Sequence, residues 1–427
     1  MKIFAENFRG FSFVEVDLQK INFLLGDNSS GKSSILHLIS AVTENDLRDI
    51  PRLSDKFGVR PFDYFSPYFN YKDVSFGFST EDDGEIFYKI ITVRRSKDIP
   101  PMITSCSYYS KGSLFTLKTI GEVCRSRIIS GQIIRSAGDA LRAHKKQGGF
   151  RSFDRISRLP LGDPSVILSA FNYKEDGYED NIRNIFTQGL PTSRFVSPTR
   201  ALPEQFYDFT RKFNAQGKHF AAMWMDFSDD QEDASSDIRE FGLESGLFED
   251  IIVRKLSRRI PDSPLTVSVK KSSKDFFLNQ VGIGVSQVVP VLMETMFSLG
   301  VPSNILLVQQ PELHLHPIAQ AAFGTYLYKS SQRGLRGAFE THSSYLLDRF
   351  RAEMRDRCAT EHAAKDERGN PNDPTPISPR DVCIIFCQNT AEGNKTHSIG
   401  IADDGSLIGD PPEYHSFFME ELFRTIF

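Results

Sequence analysis

INFLLGDNSSGKSSILHLISAV, residues 21–42, decides the fold of this chain. INFLL reads as a short buried strand, and SSILHLISAV places apolar side chains at helical spacing. Between them, Gly26-Asp-Asn-Ser-Ser-Gly31-Lys32-Ser33 fits the G-x-x-x-x-G-K-[ST] pattern in the strand-to-helix context that the pattern requires. Gly26 and Gly31 permit a tight turn whose successive N–H groups, with the helix N-terminus behind them, face an anion. A plain glycine turn with a surface lysine would not need all three parts in register. The backbone from Gly26 through Asn28, Ser29, Ser30 and Gly31 to Lys32, Ser33 and Ser34 is therefore the candidate cradle for a nucleoside triphosphate. Lys32 would reach its β- and γ-phosphates and Ser33 its Mg²⁺.

Upstream, MKIFAENFRGFSFVEVDL alternates apolar and polar residues around Gly10, as an antiparallel hairpin does. Downstream, 73–80, 86–93 and 103–118 read as further strands of an antiparallel sheet, separated by Asp-Asp-Gly and Pro-Pro. From Gly121 to Arg158 the texture reads as an inserted basic helical element, with nine Arg or Lys from Cys124 to Arg158 against Asp139 and Asp154. Residues 226–240 are acidic and poor in apolar side chains, which predicts an exposed connection. Helical periodicity follows over 245–260. Then come a buried strand at 302–309, a helix at 314–330, a strand at 336–341 and an amphipathic helix at 343–356. CIIFC and HSIGIA read as two last strands, before an aromatic helix at 413–427. The expected architecture is α/β: one domain over 1–427, with a P-loop and β lobe at 1–95, inserted strands and a basic helical element at 96–190, and a parallel-sheet lobe at 191–427.

Composition narrows the class. The chain has 427 residues, 40% of them apolar, enough for a sizeable core, and its net charge of −4 gives no global attraction to nucleic acid. No stretch approaches a membrane span, and the N-terminus lacks the look of a secretion signal, so a cytoplasmic protein is expected. The five cysteines lack metal-ligand spacing and read as free, mostly buried thiols.

A second anion-binding helix end, or an ordinary N-capped core helix, is readable at Val281-Gly-Ile-Gly-Val-Ser286-Gln287, where glycines and a Ser286 N-cap precede the apolar run VVPVLMETMF. About twenty residues on, Asn304-Ile-Leu-Leu-Val-Gln309-Gln310-Pro311-Glu312-Leu-His314-Leu-His316-Pro317 runs from a buried strand into polar groups. GAFETHSSYLL ends another strand in Glu340, Thr341 and His342.

In order and spacing these motifs resemble the ABC-type ATPases of the RecF/SMC/OLD group. Gly282 to Gln287 resembles the signature loop, and Gln309-Gln310 stands at the Walker B acid positions. Glu312 to Pro317 resembles that group's PELHLHP motif, and Glu340-Thr-His-Ser343 its switch-histidine motif. NFRGF and SPTRALPEQFY at 197–207 are similar too, so the likeness covers residues 1–40 and roughly 190–350. It implies ATP and Mg²⁺ as cofactors, Lys32 and His342 serving one site, and Ser286 capping the γ-phosphate of a partner head. The functional implication is an oligomeric ATPase, at least an ATP-dependent dimer, that senses or handles nucleic acid or invading elements in anti-phage defence. It would control a separate effector such as a nuclease or toxin. A RecF-like repair ATPase and a hydrolysis-deficient ATP-binding scaffold are the rivals. OLD nucleases continue into a metal-binding nuclease domain. Roughly 85 residues follow His342 here without an acidic D-x-D cluster, so no nuclease is expected in this chain.

One departure matters. Mg²⁺ seeks anionic oxygen and the attacking water needs a base, yet both Walker B acid positions hold glutamine, which cannot take a proton. Gln309 aligns with the metal-linked acid and Gln310 with the catalytic one. Three explanations stand: an introduced Glu→Gln trap, a naturally slow switch, or rescue by Glu312 or Glu340. His314 and His316, at i, i+2 beside Pro317, are poorly spaced for zinc and suit a packing role at the strand-to-helix turn. The basic segment 124–158, with Phe150 and Phe153 among Arg151 and Arg155, suits nucleic acid through phosphate contact and stacking, a docking partner, or plain solvent.

Overall fold

The computed structural model describes residues 1–43, 65, 72–82, 84–94, 102–120, 123–152, 191–227, 232–257, 259–299, 301, 304–364 and 377–417. It divides into two compact units that interleave along the chain. One holds Met1–Leu18, Asp27–Ser193 and Cys387–Thr396; the other holds Gln19–Gly26, Arg194–Phe386 and His397–Phe427.

The first unit is built on an eight-stranded sheet in the order β2-β1-β4-β5-β6-β7-β8-β9. Its strands are β1 (Lys2–Phe8), β2 (Phe11–Asp17), β4 (Val74–Asp82), β5 (Glu85–Arg94), β6 (Met102–Ser110), β7 (Ser113–Ile120), β8 (Val123–Ile129) and β9 (Arg151–Ser152). Every neighbouring pair is antiparallel, and the hairpin around Gly10 pairs Phe8 with Phe11 and Lys2 with Asp17. Helix α1 (Lys32–Thr43) is buried along nearly its whole length, and α2 (Ala137–Lys145) covers another part of the unit. Ser136 caps α2 by accepting from the Asp139 N–H at 3.1 Å. The α2 side chains Ala137, Ala140 and Leu141 pack with Phe4, Tyr88, Ile90, Tyr109, Leu114 and Ile134.

In the second unit the seven-stranded sheet has the order β10-β14-β15-β3-β16-β17-β18. Its strands are β3 (Ile21–Gly26), β10 (Thr192–Val196), β14 (Asn304–Gln309), β15 (Gly337–Glu340), β16 (Val382–Thr390), β17 (Gly393–Ile401) and β18 (Leu407–Ile408). The central strands β14, β15 and β3 are parallel, as strand and helix alternation requires. Helices of this unit include α3 (Phe220–Phe227), α4 (Glu232–Ser245), α5 (Ile283–Leu299), α6 (Pro317–Gln332) and α7 (Ser344–Ala364). A separate antiparallel sheet joins β11 (Asp250–Lys255), β12 (Leu265–Lys271) and β13 (Lys274–Phe277). One large core runs through the unit, from Phe23 and Leu25 to Trp224, Val289, Leu306, Phe323 and Phe350.

Three expectations are corrected. Among its described residues the basic segment from Gly121 is not mainly helical: β8 extends the antiparallel sheet, and the helix there is α2. In VCRSRII the period of two lets β8 pair with β7, Leu114 opposite Ile129. The acidic run is not an exposed connection, because 232–245 forms α4, whose Ile238 and Phe241 are buried. Phe241 meets Phe248, Phe323 and Tyr326 at ring separations of 6.1, 6.0 and 6.0 Å. Two well-placed apolar residues anchor a helix whose composition reads as solvent-loving. The apparent helix over 245–260 is instead β11, held by six pairings to β12. Of the aromatic tail, a short helix over 412–417 is described, and the remainder of the expectation lies outside the described residues.

Among the described residues no helix is long and apolar enough to cross a membrane. Cys106, Cys383 and Cys387 are buried thiols, and Cys358 is a half-buried one.

Candidate nucleotide site

Strand β3 leads directly into the phosphate loop. Gly26 at φ 133° and Gly31 at φ 103° occupy the region that favours glycine, and Ser29 joins them at φ 64°. A Cβ on Gly31 would lie 2.5 Å from the Phe11 ring and 2.8 Å from the Asn394 amide, so the loop is packed from behind and only glycine fits. Asp27, Asn28 and Ser29 are exposed, Ser30 and Ser34 are buried, and Ser33 is half-buried at the first turn of α1. The Asp27 carbonyl organises the turn. It accepts the Ser30 N–H at 3.3 Å and the Lys32 Nζ at 2.7 Å. Lys32 is only 4% exposed, so it does not stand free at the loop. Its ammonium rests on its own loop, one carbonyl away from the anion-facing amides.

In the second unit, β14 and β15 end side by side, Gln309 opposite Glu340. Gln309 Nε2 donates to Glu340 Oε2 at 2.9 Å, and the Gln310 N–H donates to the Glu340 carbonyl at 2.8 Å. Gln310 is left-handed at φ 45°. Glu340 itself is 6% exposed, so a buried carboxylate stands where the glutamines leave none. Glu312 lies two residues past Gln310, with Oε1 accepting the His342 N–H at 2.7 Å. Burial raises the Glu312 carboxyl above its ordinary value, partly offset by the hydrogen bonds of the His342 turn and by Arg200. His342 is exposed at the head of α7, with Phe417 at a ring separation of 6.5 Å.

The signature segment needs a correction. Helix α5 begins at Ile283, so Ser286 lies inside its first turn and is not the N-cap. It is 2% exposed, and its hydroxyl donates to the Ile283 carbonyl at 2.9 Å. Gly282 and Ile283 are the exposed positions at this helix end. Gly284 is the close-approach glycine, since a Cβ there would meet the His314 carbonyl at 2.6 Å. His316 caps α6 by accepting from Ala319 N–H at 3.4 Å, the turn-packing role expected of it. Among the described residues no group of three or more His, Cys, Asp or Glu is placed to hold a metal.

Sequence reasoning did not single out Arg200. It is 3% exposed, and its Nη2 donates to the Gln309 and Gln310 carbonyls at 2.9 and 3.0 Å. The only signal was its place in SPTRALPEQFY.

The basic segment is less free than its charge suggests. Arg127 is buried and donates to the Ala143, Lys146 and Gly148 carbonyls at the C-terminus of α2. Arg142 pairs with Asp139 at 2.5 Å, and Lys145 pairs with Glu6. Phe150 has the Arg127 guanidinium 4.5 Å from its ring centre, while Phe153 and Arg155 lie outside the described residues.

Residues 1–98 match the AAA ATPase domain family, a stretch that contains the hairpin, the phosphate loop and α1. No curated protein matches the chain. Among solved structures it is similar to an SMC head bound to the C-winged helix domain of ScpA (12% identity, TM-score 0.43, 93% of this chain and 97% of that one). The SMC head domain from Thermotoga maritima is similar at 12% identity and TM-score 0.41, with 93% and 97% covered. So is an SMC head with an extended coiled coil bound to the C-terminal domain of ScpA, from Pyrococcus furiosus, at 10% identity and TM-score 0.42, with 99% and 98% covered. The family match falls on the phosphate loop. It supports ATP as the nucleotide and ATPase chemistry as the activity.

The residues fit the two cofactors unequally. ATP finds a glycine-shaped cradle and a lysine. For Mg²⁺, Ser33 offers a neutral oxygen at the loop; at the end of β14 the oxygen of Gln309 is neutral too, and the anionic oxygen there belongs to Glu340.

Proposed function

We propose that this chain is the ATP-gated ATPase subunit of a defence system, one that senses or handles nucleic acid or an invading element and controls a separate effector such as a nuclease or toxin. In this reading the chain resembles the stand-alone OLD-like ATPases of anti-phage systems, the ATPase subunit of the PARIS system being one candidate for the comparison. The observation that carries the ATPase part is the phosphate loop, whose Gly31 cannot be replaced and whose Lys32 is already held in the turn by Asp27. Lys32 and the loop amides bind the triphosphate, Ser33 faces the metal, and Glu340 supplies the carboxylate that Gln309 and Gln310 cannot. Bound Mg²⁺ neutralises phosphate charge. Two such heads close on ATP, with the exposed Gly282–Ile283 end of α5 facing the partner in place of the buried Ser286.

The test is a plaque assay on cells carrying the locus with its neighbouring genes, comparing the parent with Lys32→Ala. Protection by the parent and its loss in the variant are expected. Equal plaquing with and without the gene overturns the defence role, and retained ATP binding in vitro would then leave the ATPase standing.

A RecF/SMC-like repair role is favoured by one observation: Arg142, Lys145 and Lys146 are exposed together at the end of α2. A hydrolysis-deficient scaffold is favoured by another, the pair of amides at 309 and 310.

A further inference from the structure

We propose that Arg200 is a positioning residue that sets the Walker B turn and links it to the signature helix. Gln310 is a non-glycine residue at φ 45°, a strained conformation that persists only when neighbours hold it. Three contacts do so. Its N–H donates to the Glu340 carbonyl at 2.8 Å, its carbonyl accepts the Leu313 N–H at 3.2 Å, and the same carbonyl accepts Arg200 Nη2 at 3.0 Å. Arg200 also holds the carbonyl one residue earlier. One guanidinium nitrogen thus fixes both peptide groups that aim the Gln309 and Gln310 side chains.

The residue next to Arg200 reaches the other motif. Gln287 Nε2, in the first part of α5, donates to the Ala201 carbonyl at 3.3 Å, and the Ala201 N–H donates to the Gln216 carbonyl at 3.0 Å. A shift of the start of α5 therefore acts on the Arg200–Ala201 step, and through it on the Gln309–Gln310 turn.

An ordinary buried ion pair would dock Arg200 on Glu312 in a two-toothed contact. Here Arg200 Nε and Nη1 and Glu312 Oε2 have no hydrogen-bond partner. Each side chain instead serves backbone: Arg200 the Walker B turn, Glu312 the His342 turn. Their charges still compensate. Burial brings Arg200 down to about 10, opposed by Glu312, so it stays cationic near neutral pH. A buried guanidinium left short of partners is costly unless its position is needed.

The decisive experiment is hydrogen exchange on the full chain, parent against Arg200→Ala. Exchange over 309–315 and 341–343 should quicken about tenfold or more, with the β1–β2 hairpin unchanged. The kinetic arm rests on the ATPase reading. The ATP Kd should stay within about threefold while single-turnover phosphate release falls about thirtyfold or more. The acid limb of that rate should also move to higher pH, because Glu312 loses its compensating charge, and adding Glu312→Gln should abolish the shift. Arg200→Lys, which keeps the charge with shorter reach, should fall between; it carries the exchange test if Arg200→Ala fails to fold. Unchanged exchange over 309–315 in the folded variant overturns the inference, as does release at the parent rate. A parent that binds no ATP sinks the ATPase reading alone, and the exchange result still decides this one.

Discussion

Gln309 and Glu340 meet as an amide and a carboxylate across 2.9 Å, at the ends of two parallel strands paired residue for residue. A carboxylate at position 309 would meet another carboxylate there. Without a cation, two such charges repel by on the order of a few kcal/mol, and one must protonate or turn away. Gln309→Glu should therefore lower the melting temperature in chelator and recover it in Mg²⁺, with phosphate release raised by about a hundredfold or more in the presence of the metal. Adding Gln310→Glu should raise release further. A melting temperature indifferent to Mg²⁺ in Gln309→Glu, with release at the parent rate, would show that no metal sits between these strand ends.

Glu340→Gln tests the complementary point. With amides at 309, 310 and 340, the strand ends hold no carboxylate, and single-turnover phosphate release should drop by about a hundredfold while ATP still binds. Thermal unfolding run alongside separates chemistry from folding. If release is unchanged, Glu340 does not stand in for the missing acid.

For Lys32→Ala, calorimetry should register no ATP binding at concentrations that saturate the parent. The variant also loses the bond to the Asp27 carbonyl, a net contribution of about 1 kcal/mol, so a small drop in melting temperature is expected with the fold retained. Unchanged ATP affinity would refute the phosphate-loop assignment.

His144 gives the stability a pH dependence. Its ring lies among three hydroxyls, with Nε2 to Thr92 at 2.7 Å and Ser105 at 3.0 Å, and Nδ1 to Ser107 at 2.6 Å. Burial, followed by the charges of Lys145, Arg127 and Lys118, pushes it down to about 3. The folded ring thus stays neutral while the unfolded chain takes a proton near 6.5, so the unfolded state binds more protons between those values and stability falls as pH falls. Unfolding free energies from denaturant titrations should be flat above about pH 7 and decline by a few kcal/mol toward pH 4, and His144→Gln should flatten that decline. An equal acid decline in both proteins would place its origin elsewhere.

Charge reversal at Arg142, Lys145, Lys146 and Arg151 should weaken binding to DNA or RNA and reduce the salt slope by about one per lost phosphate contact. Because Arg142 and Lys145 already have carboxylate partners in Asp139 and Glu6, Lys146 should show a larger single effect than either. A parent without measurable binding at low salt removes the nucleic-acid reading.

The sequence by itself determined what is contiguous. The phosphate loop is eight adjacent residues flanked by a strand and a helix, and the hairpin around Gly10 is a local alternation; neither needs a distant partner to be read. Residues whose state depends on what packs against them were decided by the tertiary structure. VCRSRII is a strand because β7 offers it an edge, and α4 is a helix because Phe241 finds Phe323 and Tyr326 while Ile238 joins the same core. Ser286 looked like a cap because a serine after a glycine-rich turn and before an apolar run suits one, yet the helix starts three residues earlier, where Gly284 leaves no room for a Cβ beside the His314 carbonyl. The same holds for the chemistry at the strand ends. Two glutamines in a row announce a missing acid, but only the parallel register of β14 and β15 sets Glu340 against Gln309, and only the path of the chain through 197–204 brings Arg200 onto their carbonyls. Hydrogen bonds between residues 31 and 109 positions apart are set by packing geometry, which no local pattern encodes.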